Sequence, residues 1–400
     1  MKILIGLVFS IVYLSASAQK ADNRIVIGTI DTVNSSILKE KRIIYVHVPD
    51  GDKKEHYPVL YVLDGEDHFQ SAVAIVEQIS GIIPNMVIVG ITNTDRERDL
   101  TPTHVSADLN INAGDARRSG GGENFMTFIE RELIPYVDAH YPTLPYRTIS
   151  GHSLGGLTVI NAFFNHTNLF NAYIAIDPSL WWDKSNWIKK YENELQQRVF
   201  SNKALFIAIA NNLTGGLDTN TVLNDTSSNF ELTKSVLRFV QSLNSANLKG
   251  LRWSSKFYPN EWHGSVELNA EYDALRYLFK FYHFDMNKFR EHPEMNADSL
   301  INAHFNEVSD KMGYKVLPTE DLVNQMGYAC MGIHKMDIAY ALFEKNTQNY
   351  PQSANAFDSL GDFYVAQGNN NKAIEAFSKS LSIQETQDTR RKLEELQKKK

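Results

Sequence analysis

An α/β fold with a mainly parallel central sheet, followed by a small all-α module, is what the sequence predicts. Three observations carry this. Continuous apolar runs, the mark of strands buried on both faces, recur at residues 57–64, 85–91, 172–177 and 203–210. Helical stretches with one apolar face alternate with them, as at 123–140, where Phe125, Phe128, Ile129, Leu133, Ile134 and Val137 share a stripe. From residue 320 the chain repeats at a spacing of 34: Met326-Gly327 matches Leu360-Gly361, Ala339 matches Ala373, and Phe343 matches Phe377.

Taken in order, the chain opens with Met1-Lys2, an apolar stretch over 3–14 and Ala16-Ser17-Ala18. This reads as a signal peptide over 1–18 with Gln19 as the mature N-terminus, and so as an exported, secreted or periplasmic protein. The apolar stretch is short for a membrane span, and no cysteine follows the cleavage pattern to carry a lipid. Residues 24–32 and 41–48 read as antiparallel strands. The strand over 57–64 runs into Asp64-Gly65-Glu66-Asp67, with a helix over 69–79 and the strand 85–91 after it. Residues 93–117 show no period. Their charged segment, Asp95-Arg-Glu-Arg-Asp-Leu-Thr-Pro102, follows a strand at the edge where open α/β sheets bind ligands. Arg96 and Arg98 there are candidates for a substrate carboxylate or carbonyl, Arg98 first. The blander reading, which we favour, pairs them with Glu97, Asp99 or Asp108 to fix the loop.

Composition bounds the function. With 400 residues the chain can hold two or three domains, and 43% hydrophobic and 11% aromatic content excludes a disordered chain. A net charge of -7 argues against nucleic acid or an anionic membrane as the main partner. The one cysteine, Cys330, rules out an intramolecular disulfide and reads as a core residue. Gly120-Gly121-Gly122 lacks the Lys-Ser/Thr of a phosphate-binding loop and reads as a flexible approach to the next helix. No cofactor and no metal is expected.

The chemistry centres on Gly151-His152-Ser153-Leu154-Gly155-Gly156. A β-branched lead-in, a G-x-S-x-G turn and an apolar helical run form the nucleophile elbow of an α/β-hydrolase. The glycines admit a turn too tight for flanking Cβ atoms, and the following helix aims its N-terminus at Ser153. An ordinary glycine-rich β-to-α turn is the bland alternative, and the strand-elbow-helix context weighs against it. In such folds the triad runs serine, acid, histidine. His263, in the loop 259–266 after the last strand (251–258), is the histidine in the right place, while His140, His166 and His283 look structural and His152 flanks the serine. The acid is open. The strand 203–210 ends in the uncharged Asn211-Asn212, so Asp218 in the long loop 211–229 is the first choice. Asp225, Asp177 and Glu261 are alternatives, as is a serine-histidine dyad oriented by Asn211 or a backbone carbonyl. The oxyanion donors expected by position are the N–H groups of Leu154 and Glu66. Trp181 and Trp182, in the loop after the strand 172–177, read either as a pocket wall for an acyl or leaving group or as a plug on the sheet.

Leu63-Asp64-Gly65, Asp95 to Pro102, Gly151 to Gly156, Pro178-Ser-Leu-Trp-Trp182 and Glu261-Trp-His-Gly-Ser-Val266 occur in that order. As a set they resemble the esterase-D-type serine esterases of the α/β-hydrolase superfamily, which include trilactone siderophore esterases and relatives of feruloyl and acetyl-xylan esterases. The resemblance covers about residues 25–285. It implies Ser153 and His263 as catalytic, Leu154 and Glu66 as oxyanion donors, and departs at Asn211-Asn212, where many such enzymes carry an acid.

The expected organisation is a signal peptide (1–18), an esterase domain (24–285) closed by a helix over 270–284, a helical connector (286–319), repeats resembling the tetratricopeptide (TPR) pattern (320–387) and a charged, frayed tail (388–400). Two repeats fall short of the three usually needed to stand alone, so they are expected to dock on the hydrolase or stack on the preceding helix. We read them as a structural cap ahead of a protein-binding groove. The leading function is a secreted serine carboxylesterase acting on a small-molecule, sugar or aromatic ester. An acyltransferase using the same acyl-enzyme, and a non-catalytic adaptor with a decayed hydrolase domain, are the alternatives. Transfer to an added alcohol would mark the first, and loss of the elbow or of His263 the second.

Overall fold

The computed structural model describes residues 24–51, 55–107 and 111–398. The proposed signal peptide and Asp108 lie outside the described residues. Among those described, no helix is long and apolar enough to cross a membrane.

Eight strands form one sheet: β1 (Thr29–Ser35), β2 (Glu40–His47), β3 (Tyr57–Leu63), β4 (Val87–Ile91), β5 (Thr143–His152), β6 (Ala172–Ile176), β7 (Val199–Ala210) and β8 (Lys249–Tyr258). Their spatial order is β1-β2-β4-β3-β5-β6-β7-β8. The pairs β1/β2 and β2/β4 are antiparallel, and every pair from β4/β3 to β7/β8 is parallel. Every residue of β3, β4 and β6 is buried, because helices cover both faces of the parallel part. On one face pack the helices Gly122–Phe128, Ile134–His140, Leu154–Asn165 and Glu231–Ser245, through side chains such as Phe125, Leu133, Phe163 and Phe239. On the other pack Gly65–Gln78 and Glu267–Leu278, through Phe69, Val73, Leu275 and Leu278.

Three of the boundaries that differ from the sequence expectation have a plain physical reason. The helix expected over 69–79 starts at Gly65, because Asp64 takes a left-handed conformation (φ 52°) and starts the helix there, with Glu66 and Asp67 stabilising its first turn. The helix expected over 123–140 widens into a π-helical turn at Ile129–Leu133. Pro135 follows that turn and has no N–H for a regular helical bond, which accounts for the irregularity. The helix expected to reach 284 stops at Leu278, and Phe279 and Phe281 turn into the core instead.

The C-terminal third is helical throughout. Glu320–Gly332 pairs with Met336–Asn349, and Ala354–Ala366 with Asn370–Ile383; each second-pair helix begins 34 residues after its counterpart. A Cβ at Gly327 would overlap the Phe343 ring, and one at Gly361 the Phe377 ring, so both positions need glycine for close helix approach. The connector contains the helix Ala297–Met312, and this helix joins the two parts. Its Ile301 and Phe305 pack with the repeats, and its Val308 and Met312 pack beneath the sheet. The tail, expected as a charged helix that frays, is a docked helix, Gln387–Lys398. Leu393 and Leu396 pack on Ala373 and Phe377, and Lys392 bridges Asp358 at 2.7 Å and Asp362 at 2.9 Å.

Candidate active site

The site forms where β3, β5, β6, β7 and β8 end together. Ser153 follows β5 and precedes the helix Leu154–Asn165, with φ 59° and ψ -115°. That conformation costs a non-glycine residue about 1–3 kcal/mol. The surroundings impose it. A Cβ at Gly151 would lie 2.6 Å from the Gly155 carbonyl, and one at Gly156 2.9 Å from Pro178 Cα, so strand, turn and helix close up only with glycine at both positions. The Ser153 N–H donates to the Ile176 carbonyl of β6 at 3.0 Å. The hydroxyl therefore projects at the sheet edge.

His263 comes from the loop after β8. Its Nε2 is 3.0 Å from Ser153 Oγ and its Nδ1 is 2.7 Å from Asp177 Oδ2. Asp177 is fully buried, directly after β6, with φ 39°. Its carboxylate also accepts from the Ala210 N–H at 3.0 Å and the Asn212 Nδ2 at 3.0 Å. Asn212 in turn accepts the His263 N–H at 2.9 Å, while Asn211 donates to Pro259 O and gives its own N–H to Glu261 O. The two uncharged residues at the end of β7 thus hold the histidine loop and the acid.

The structure brings Ser153, His263 and Asp177 together, and leaves Asp218 elsewhere. Asp218 is exposed, and its carboxylate accepts from the N–H groups of Asn220 and Thr221 and from the Thr221 hydroxyl, which caps its own turn. Asp225 is likewise engaged with Ser227, and Glu261 with Ser265 and Asn269. Arg98 spans Glu40 and Asp99 with three hydrogen bonds of 2.6–3.1 Å, beside the buried Arg42–Asp99 pair, which is the loop-fixing arrangement favoured from the sequence over the substrate-binding one. Arg96 pairs with Asp64 through two bonds of 2.7 and 2.9 Å. The tryptophans divide. Trp182 is buried and donates to Thr103 O, a plug, while Trp181 is half-buried. Leu154 and Glu66 occupy the first turns of their helices, where N–H groups lack intrahelical acceptors, and the Glu66 carboxylate turns away to Asn93.

Sequence reasoning missed the exposed Trp262 beside the histidine and the cluster of titratable groups behind it. The ring of His152 lies 4.4 Å from that of His263 and 6.1 Å from that of His68. Burial, then the neighbouring His263 and His68, lower the His152 pKa to about 4, so it stays neutral beside His263. Burial works against charge on His68, but the Glu267 carboxylate 2.5 Å away overcomes it and raises the pKa. Glu271 is fully buried, and neither carboxyl oxygen has a hydrogen-bond partner among the described residues. Burial, then repulsion from Glu267, pushes its pKa well above the carboxylate range.

A family model described as "Putative esterase" matches residues 35–251, more than half of the chain. The chain belongs to this esterase family. It is 33% identical over 171 residues to the ferri-bacillibactin esterase BesA of Bacillus subtilis, covering 38% of this chain and 58% of that one. It is 31% identical over 140 residues to the siderophore triacetylfusarinine C esterase of Aspergillus fumigatus, covering 32% and 45%. The chain spans about half the length of the curated relatives it matches. The crystal structure of an IroE-like serine hydrolase from Shewanella oneidensis is similar with a TM-score of 0.67 and 31% identity, over 81% of this chain and 99% of that one. An uncharacterised protein from Capnocytophaga ochracea, 19% identical, shares the fold over 92% of this chain and 99% of its own, with a TM-score of 0.64.

Two expectations follow. Asp177→Asn should lower kcat by about 10³–10⁴-fold with the fold retained, since an amide leaves the imidazole in the wrong tautomer. Asp218→Asn should stay within about twofold, and steady-state kinetics beside thermal melts check both. Glu271 has a raised folded pKa, so the folded state holds a proton that the unfolded chain gives up above the ordinary carboxylate range. Stability is therefore lost as pH rises from about 5 towards about 8, and Glu271→Gln should flatten that decline in melting temperature. An unchanged slope would contradict it.

Proposed function

We propose that this esterase hydrolyses carboxylic esters through an acyl-enzyme on Ser153, with His263 as general base and Asp177 as the acid that orients it. The single observation that carries the reading is the continuous line from Ser153 Oγ through both His263 nitrogens to the Asp177 carboxylate, at 3.0 and 2.7 Å. His263 Nε2 takes the serine proton as Oγ attacks the ester carbonyl, and returns it to the departing alcohol. Asp177 stabilises the imidazolium formed in between. The N–H groups of Leu154 and Glu66 receive the oxyanion, helped by the positive end of the elbow helix. Water then takes the place of the alcohol and frees the acid product.

The substrate class we infer is a siderophore ester. The siderophore esterases among the relatives support this, as do the half-buried Trp181 and the exposed Trp262, which offer flat apolar surface to a bulky aromatic ester. The repeats act as a TPR-like structural cap on the underside of the sheet, and the protein is exported by its N-terminal segment.

A fluorophosphonate probe should add one label to the wild-type enzyme, and Ser153→Ala should abolish it. A panel of p-nitrophenyl acetate, a catechol trilactone siderophore and a feruloylated sugar should give the highest kcat/KM on the siderophore. Labelling that survives Ser153→Ala sinks the mechanism, and preference for the sugar ester sinks the substrate class.

A further inference from the structure

Ser179 lies in the loop after β6 and is 2% exposed. Its Oγ is 3.3 Å from Ser153 Oγ. A second contact keeps it there: the Ser179 N–H donates to the Ser153 carbonyl at 3.0 Å, so loop and elbow hold one another through backbone. The Ser179 carbonyl in turn accepts the Trp182 N–H at 3.0 Å, which ties the loop to the buried Trp182 plug.

Proton counting fixes the direction of the hydroxyl contact. His263 Nδ1 faces the Asp177 carboxylate and carries the ring proton, so Nε2 offers a lone pair. Ser153 spends its only proton on that lone pair at 3.0 Å. Its oxygen can then only accept from Ser179, and Ser179 must donate.

We propose that Ser179 is a catalytic residue of the ester hydrolysis proposed above, donating a hydrogen bond to Ser153 Oγ as that oxygen gains charge. The inference rests on Ser153 being the nucleophile. In acylation the Ser153 proton passes to His263 Nε2, and the Oγ electron pair forms the bond to the ester carbon. The bond to the alcohol then breaks, and the alcohol oxygen receives the proton from Nε2. In deacylation a water proton passes to Nε2 and the water oxygen bonds the acyl carbon. The carbon–Oγ bond then breaks and Oγ takes the proton back. Negative charge develops on Oγ at the start of the first step and at the end of the second. The Ser179 proton is never transferred; it stabilises that charge both times. At 3.3 Å the bond is long for two neutral hydroxyls, and such bonds shorten and strengthen when the acceptor becomes charged. An interaction weak in the ground state and strong in the transition state raises kcat and leaves KM alone.

The test compares wild type, Ser179→Ala, Ser179→Cys and Ser153→Ala. Ser179→Ala keeps both backbone bonds, and Ser179→Cys keeps a side chain of similar size with a weak donor. Thermal melts establish that each is folded. In both Ser179 variants the rate of fluorophosphonate labelling and kcat on p-nitrophenyl acetate should fall about tenfold or more, with KM within about twofold, as for loss of one hydrogen bond to a charged group. Labelling and turnover within about twofold of wild type in either folded variant overturn the role of Ser179 alone. Labelling that persists in Ser153→Ala overturns the serine mechanism instead, so the two failures are separable.

Discussion

The Asp177 carboxylate is the point on which the site depends. It is fully buried, and a buried charge is tolerated only when hydrogen bonds replace its water. Its donors come from three separate places: the end of β7 through Ala210, the following loop through Asn212, and the β8 loop through His263. Satisfying one carboxylate therefore fixes three chain segments relative to β6. Asn212 strengthens the arrangement by also accepting the His263 N–H. The position of His263 is a consequence of that network as much as of its own loop.

The elbow supplies the other half of the geometry. Its strained Ser153 backbone is held by packing that admits only glycine on either side, and by backbone bonds to Ile176 and from Ser179. Both contacts belong to β6 or the loop just after it, which also carries Asp177. Ser153, Asp177 and the Ser179 hydroxyl are thus referred to a single strand end. Behind them His152 stays neutral, so it sets no like charge beside His263.

Much of this was legible in the chain. The fully buried strands announced themselves as unbroken apolar runs, and the 34-residue spacing reproduced both helix pairs. Gly-x-Ser-x-Gly and the loop histidine marked residues that the fold does bring within hydrogen-bond distance. Asp218 was ranked ahead of Asp177 as the partner of His263 because that ranking relied on order along the chain. Asp218 stands in the expected loop but satisfies its carboxylate within its own turn, and nothing in the sequence pattern distinguishes that from a carboxylate reaching inward. A better signal was present in Asp177, which follows a wholly apolar strand directly and so had to be buried and bonded. Arg98 was ambiguous for the opposite reason. Its partner Glu40 lies 58 residues away in β2, and such pairing is visible only once the sheet is assembled.

The hydrogen bond between His263 Nδ1 and Asp177 can be observed in solution without substrate. Proton NMR of the protein should show two imidazole N–H resonances far downfield, one from each short bond to a carboxylate, His68–Glu267 and His263–Asp177, and the His263 resonance is identified by its loss in His263→Ala. That resonance should vanish in His263→Ala and Asp177→Asn and persist in Asp218→Asn. A His263 signal that survives Asp177→Asn, or is lost in Asp218→Asn, would contradict the assignment of Asp177 as the partner of His263.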